Sequence, residues 1–330
     1  MVEKRNFNKI KKKVLVTGAT GHLGYNLCLS LLKKNFQVYA LCRKSSNVKR
    51  FLKSRVEIIY GDVKNYNDFY LASIGKNYII HAAAIYSHKE NLRNKTFITA
   101  VKSAKNFCRI ISKLNIEKGI YVSSVSILGL EDKAIPKKNL ILIKNSNDPY
   151  VNSKLNSYKI VSNKIRKNKL PISIILPSSM LGINDFRITP STSNIYNMIK
   201  SPLGVYVEGG INIINIQDVC DSIIKILLLK KNFTCILSGH NITIRDLVKK
   251  ARQLSGKFFF SIKLPKIFFY MIYYFHKIFY LSLIFNLPLN IFQIKNIGKF
   301  SYFDNSIALE NGILKITPLK KTLTQCLKNF

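Results

Sequence analysis

The chain has 330 residues, enough to bury a large core, and 53 basic against 16 acidic side chains give it a formal net charge of +37. Lysines outnumber arginines 43 to 10 and are spread along the whole length among abundant Asn, Ile, Phe and Tyr. The charge therefore reads as a composition-wide bias, not as the arginine-clustered face of a nucleic-acid reader, and no nucleic-acid partner is expected.

Cysteines at 28, 42, 108, 220, 235 and 326 form no CxxC pair and no metal-ligand spacing, so they read as reduced, buried thiols and no metal is expected. The opening MVEKRNFNKIKKK is basic but lacks the apolar run of a signal peptide, which makes a cytoplasmic location the expectation. It leads straight into KVLVTGATGHLG, residues 13–24. Val14, Leu15 and Val16 read as a buried parallel strand, and Leu23, Leu27 and Leu31 give the next segment one apolar helical face. The turn between them carries Gly18, Gly21 and Gly24. Gly18 can take backbone angles closed to other residues, Gly21 lets the main chain approach a diphosphate, and Gly24 lets helix and strand close on each other. With His22 and Leu23 these glycines form a helix N-terminus suited to phosphate oxygens.

Strands two to six are expected at 37–42, 56–63, 77–84, 119–126 and 171–177, with helices between them and a polar helix from about Tyr150 to Lys169. Such alternation predicts a Rossmann α/β fold, a doubly wound parallel sheet with a smaller, mostly helical C-terminal substrate lobe. The Rossmann domain is expected over 1–177 and the lobe over 178–330, with returns to the core around 211–230 and an apolar segment at 264–292.

Ligands of this fold sit at the C-terminal ends of the strands. Strand two ends in Arg43-Lys44-Ser45-Ser46, where an acidic residue would bind the ribose hydroxyls; cationic groups there attract a 2′-phosphate, so NADP(H) is expected in preference to NAD(H). Ala82 and Ala83 close strand four with side chains small enough to leave room for the cofactor, and Pro177 closes strand six. Strand five ends in Ser123-Ser124, and Tyr150 and Lys154 follow four residues apart on one helical face. A lysine beside a phenol favours its ionised form, so Tyr150 is expected to move a proton while Ser124 holds the substrate oxygen. YxxxK recurs at Tyr60, Tyr196 and Tyr273, but only Tyr150 opens a helix between a serine-bearing strand and another strand.

The TGxxGxxG and YxxxK patterns, with the segments 121–130, 177–193, 213–223 and 303–314, resemble the extended short-chain dehydrogenase/reductase superfamily. Within it the chain is similar to the dihydroflavonol reductase-like branch, and most of all to the hopanoid-associated sugar epimerase group. That resemblance implies that Asp62 and Val63 flank an adenine, and that Lys154 also binds the ribose. Val125-Ser126 stands where nucleotide-sugar dehydratases carry an Asp-Glu pair, which removes the acid and base for water elimination. Leu176–Gly182 lacks the Arg-Pro-x-Asn-x-x-Gly of nucleotide-sugar epimerases and points to a substrate without a nucleotide handle. In the fourth helix Ala100 replaces an Asn that helps hold the site's water and lysine in the family.

Residues 267–285 are rich in Ile, Phe, Tyr and Leu, with His276-Lys277 at the midpoint. A lid over an apolar pocket, a helix lying on an anionic membrane and a span are the three readings, so peripheral membrane contact through 267–285 stays open beside a cytoplasmic location. The expected partner is a small-molecule substrate, with a homodimer left open. The function expected is an NAD(P)-dependent oxidoreductase interconverting a carbonyl and a secondary alcohol on a small apolar or sugar-bearing molecule. The alternatives are an NAD(P)-dependent sugar epimerase that retains its cofactor, and a non-catalytic dinucleotide-binding protein.

Overall fold

Apolar runs alternating with amphipathic helices build a parallel sheet in the computed structural model, which describes residues 11–200, 204–256, 261–268, 270–271 and 296–328. In chain order, β1 (Lys13–Thr17), α1 (His22–Lys33), β2 (Gln37–Cys42), β3 (Glu57–Tyr60), α2 (Tyr66–Ser73), β4 (Tyr78–His81), α3 (Arg93–Lys113), β5 (Lys118–Val122), α4 (Pro149–Asn168) and β6 (Ile172–Pro177) form the first half. There follow β7 (Ser179–Leu181), α5 (Pro190–Lys200), β8 (Gly204–Tyr206), β9 (Gly210–Asn215), α6 (Ile216–Leu228), β10 (Thr234–Leu237), β11 (His240–Thr243), α7 (Ile244–Leu254), β12 (Ser261–Lys263) and β13 (Phe300–Ser301). Two further helices run over Ser306–Glu310 and Leu319–Leu327.

Seven strands join in the order β10-β6-β5-β4-β1-β2-β3, all parallel, the doubly wound sheet that the alternation predicts. Successive side chains of β1 face opposite layers. Val14 and Val16 meet Leu23, Leu27 and Leu31 of α1 and the apolar face of α6, whereas Leu15 joins the layer formed by α3 and α4. Those three β1 residues are fully buried, and all six cysteines are buried and unbridged.

Three strands are shorter than their apolar runs suggest. The 56–63 run is a strand only over Glu57–Tyr60, 77–84 only over Tyr78–His81, and 119–126 only over Lys118–Val122. Backbone bonds such as Ala82 N–H to the Thr17 carbonyl (3.3 Å) and Ser123 N–H to the Ile175 carbonyl (2.8 Å) end the pairing. Beyond them the chain leaves the sheet, and these departures form the candidate site.

A smaller sheet is centred on β9, with β7 and β13 parallel to it and β11 antiparallel. Because β7 begins two residues after β6 ends, this sheet lies by the C-terminal edge of the larger one. From β9 the chain returns through α6 onto α1 and then supplies β10 to the main sheet. Lys118, 3% exposed at the start of β5, donates to the carbonyls of Ile226 (3.4 Å), Leu229 and Lys231 (2.8 Å) and so caps the C-terminal end of α6. Of the apolar stretch 267–285, residue 269 and everything from 272 onward lie outside the described residues; Ile267, Phe268 and Met271 are exposed. Among the described residues no helix is long and apolar enough to cross a membrane.

Candidate active site

The glycine turn is a close backbone crossing. Gly18 has φ +70°, and a Cβ there would stand 2.7 Å from the carbonyl carbon and oxygen of Ala82 and from the nitrogen of Ala83. A Cβ on Gly24 would stand 2.2 Å from the Gly18 carbonyl oxygen, so α1 can begin this near β1 only without a side chain. Gly21, the residue before the first turn of α1, meets only the Gly18 oxygen at 3.2 Å and leaves its outer side clear. The first-turn residues His22, Leu23 and Gly24 follow, with backbone amides directed as helix geometry dictates. The His22 ring faces away from the turn: Nε2 lies 3.0 Å from the Ile183 carbonyl and Nδ1 3.8 Å from the Asp185 carboxylate. Burial, outweighing Asp185, holds its pKa below the usual value.

Around this turn stand the other expected cofactor residues. Arg43 is exposed at the end of β2, in a tight turn closed by Ser46 N–H on the Arg43 carbonyl (2.8 Å). Asp62 accepts from Lys64 N–H at 2.9 Å and lies 3.5 Å from the Lys64 ammonium. Asn106 of α3 donates to the carbonyls of Val63 and Lys64, both at 3.0 Å, and fixes that loop. Thr17 Oγ1 accepts from Ala83 N–H at 3.3 Å and holds the small pair Ala82-Ala83 against the turn. Ser123 and Ser178, beyond the ends of β5 and β6, are buried with hydroxyls that have no partner among the described residues. A side-chain-free crossing, a helix N-terminus and orphaned hydroxyls along one sheet edge fit a dinucleotide with a diphosphate and polar rings.

Ser124 and Tyr150 are neighbours beyond the end of β5, and Lys154 lies one helical turn further along α4. Ser124 caps the turn Val125–Leu128, accepting from Ser126 N–H at 3.2 Å, and its hydroxyl is near enough to the Tyr150 phenol to oppose the rise in that group's pKa. Lys154 is 5% exposed, and its ammonium donates to the Val122 carbonyl at 2.9 Å. The electrostatics differ from the expectation of a phenol tuned downward by lysine. Burial, then the neighbouring Tyr86, raises the Tyr150 pKa well above its usual value, with Tyr121 and Asp148 adding and the Ser124 hydroxyl opposing. Burial also brings Lys154 down to about 8, while its proton is engaged by the strand's last carbonyl. At neutral pH Tyr150 is therefore a proton-bearing acid, the state that protonating a carbonyl oxygen requires.

Two groups here were not read from the sequence. Tyr86 and His88, in the loop after β4, pack on Tyr150 with ring centroids at 4.6 and 5.5 Å. His88 Nδ1 lies 2.6 Å from Asp148, a carboxylate whose side chain is fully buried and which also caps α4 by accepting from Val151 N–H at 2.9 Å. Sixty residues separate the two partners, and neither belongs to a spacing motif; the only sequence signal was an Asp before Pro149 at a helix start.

Beneath the site a chain of buried groups runs to Ala100. Thr17 Oγ1 lies 2.8 Å from His81 Nδ1, His81 Nε2 lies 3.2 Å from Ser103 Oγ, and Ser103 donates to the Ala100 carbonyl at 3.2 Å. Stacked between Phe69 and Phe107, the buried His81 has its pKa lowered to about 3, first by burial and then by Lys154. Its ring stays neutral in the folded chain but takes a proton near pH 6.5 once unfolded, so stability falls as pH drops from 6.5 toward 3. Between pH 7 and pH 5 this group should remove about 2 kcal/mol of unfolding free energy. Urea titrations at the two pH values should show that loss in the native chain and a smaller one in His81→Gln; equal losses would refute the assignment.

The model of the NAD dependent epimerase/dehydratase family matches residues 14–219. A Synechocystis protein described as a dihydroflavonol 4-reductase is 26% identical over 256 residues, 73% of this chain and 72% of its own. Sterol demethylase protein B of Methylococcus capsulatus is 23% identical over 247 residues, 73% and 74% of the two chains. Among solved structures, gox2253 superposes with a TM-score of 0.84 at 25% identity over 96% of this chain and 97% of its own. The UDP-glucose 4-epimerase of Thermus thermophilus, solved with NAD, gives 0.74 at 13% identity over 96% and 98%, a likeness of fold alone.

Proposed function

The chain belongs to the NAD dependent epimerase/dehydratase family, enzymes of the extended short-chain dehydrogenase/reductase type, and we propose that it interconverts a ring-borne ketone and a secondary alcohol with NADP(H). What supports this reading is that Ser124 neighbours Tyr150 and that Lys154, one helical turn further along α4, donates to the last carbonyl of β5, two residues before Ser124. A bound nicotinamide would supply or accept the hydride. Tyr150 gives the carbonyl oxygen its proton, Ser124 orients that oxygen, and Lys154 holds the end of β5 and binds the ribose. The aromatic wall of Tyr86, His88 and Tyr150 favours a flat, apolar substrate. Relatives named for dihydroflavonol, sterol and 3-beta-hydroxysteroid chemistry agree with such a substrate class.

A panel of polycyclic ketones with NADPH tests this directly: stoichiometric loss of the nicotinamide's near-ultraviolet absorbance is expected. An unchanged nucleotide spectrum with inverted product stereochemistry would replace the reductase by an epimerase, in which the same three residues oxidise and re-reduce one carbon. The exposed Arg43 supports the NADP(H) preference, and Arg43→Asp should cut NADPH affinity about tenfold with little change for NADH. Equal affinities before and after substitution would overturn the preference. We propose the division at 177/178, with the substrate recognised mainly by the segment after it; the membrane-surface reading of 267–285 stands as a proposal for vesicle binding assays.

A further inference from the structure

Residues 183–188, between β7 and α5, are fastened across the start of α1. The Ile183 carbonyl is held by His22 Nε2 at 3.0 Å and by Asn26 Nδ2 at 3.1 Å, and Asn184 donates to Asn26 Oδ1 at 3.0 Å. Phe186 stands edge-on to Tyr25 with centroids 5.3 Å apart, and the Arg50 guanidinium lies 3.9 Å from its ring centre. Asn184 and Ile188 both take positive φ, 59° and 47°, a conformation that persists where the surroundings over-determine the backbone. What this strap delivers is Arg187. Its Nη2 donates to Thr20 Oγ1 at 3.2 Å, and Thr20 is the residue before Gly21 in the glycine turn.

We propose that Arg187 is a diphosphate-binding residue of the dinucleotide site, carried to the glycine turn by the strap 183–188. This rests on reading that turn as the dinucleotide site. In this fold the diphosphate lies at the first strand–helix turn, against the helix N-terminus. Among the described residues 18–24 the turn offers amides and the Thr20 hydroxyl but no lysine or arginine. An exposed guanidinium hydrogen-bonded to a turn hydroxyl is placed to exchange that bond for charge-assisted ones to phosphate oxygens. Asp185, whose carboxylate accepts from Thr189 N–H at 2.9 Å and Thr189 Oγ1 at 2.6 Å, fixes the strap's far end and faces His22 instead of Arg187. The assignment separates Arg187 from Arg43: one serves the diphosphate common to both nucleotides, the other the 2′-phosphate of NADPH alone.

Fluorescence titration of the full chain with NADH, NADPH, ADP and adenosine tests it without any substrate. Arg187→Gln should weaken NADH, NADPH and ADP by about tenfold each and leave adenosine within about twofold, whereas Arg187→Lys should recover part of the loss. Melting of the ligand-free variants should match the native chain, since the side chain is exposed and its bond to Thr20 lies at the surface. Unchanged NADH and ADP affinities would overturn the proposal, as would a loss confined to NADPH, which would assign Arg187 to the 2′-phosphate. Failure of the native chain to bind any of the four would instead reject the dinucleotide reading itself.

Discussion

Tyr150→Phe is expected to lower NADPH-coupled carbonyl reduction by about 10²- to 10⁴-fold, the range set by loss of a positioned proton donor. Only the phenol oxygen is lost, since the Phe ring can keep the stacking on Tyr86 at 4.6 Å and on His88 at 5.5 Å. Dinucleotide affinity should stay within about twofold, so the effect belongs to the chemical step and not to folding. The pH profile adds a second readout. Tyr150 is held protonated by burial and its neighbours, so it contributes no limb in the neutral range. Lys154, brought down to about 8, loses its charge there, and the native rate should fall as pH rises through that value. Steady-state rates with a polycyclic ketone, measured from mildly acidic to strongly alkaline pH, check both statements. A Tyr150→Phe enzyme with native turnover would move the acid elsewhere, and a rate that climbs through about pH 8 would deny Lys154 its role.

Much of this site is legible in the sequence because its parts follow short-range rules. Valines and a leucine in β1, the glycine turn and the helical spacing of Leu23, Leu27 and Leu31 are local patterns, and α1 and β1 form where those patterns put them. Tyr150 and Lys154 share a face because four residues is nearly one helical turn. Strand ends were misjudged for a physical reason. Val63 and Ala84 continue an apolar run into the loops after β3 and β4, and Val125 opens the short helical turn capped by Ser124, so the apolar run outlasts the strand pairing in each case. The remaining misses are contacts over long separations. His88 finds Asp148, Arg187 finds Thr20 from 167 residues away, and the sheet around β9 draws strands from distant parts of the chain. No period or spacing encodes such meetings. Charge balance reversed one expectation: a lysine four residues from a phenol tunes it downward only if its ammonium faces the oxygen, and here it faces the Val122 carbonyl.

Gly24→Ala and Gly21→Ala should separate the two duties of the glycine turn. At Gly24 a methyl group would stand 2.2 Å from the Gly18 oxygen, 2.7 Å from the Gly18 carbonyl carbon and 2.8 Å from the Ala19 Cα. All three are backbone atoms, and Gly18 is itself wedged against the Ala82–Ala83 peptide, so the strain cannot be relieved by a rotamer. Helix α1 must lift from β1, carrying Leu27 and Leu31, both fully buried, away from the layer they share with α6. Overpacking of this kind should cost about 3 kcal/mol and lower the melting temperature by several degrees. At Gly21 the backbone angles, φ −85° and ψ 170°, suit alanine, and the added carbon meets only the Gly18 oxygen at 3.2 Å. That variant should melt near the native chain, yet its methyl group occupies the side of the turn a diphosphate approaches, and NADH affinity should fall about tenfold or more. Differential scanning calorimetry and NADH titration on both variants decide the matter. Tight NADH binding by Gly21→Ala would take the diphosphate away from this turn, and native melting of Gly24→Ala would mean that α1 is free to ride up on β1, against the contacts that fix it.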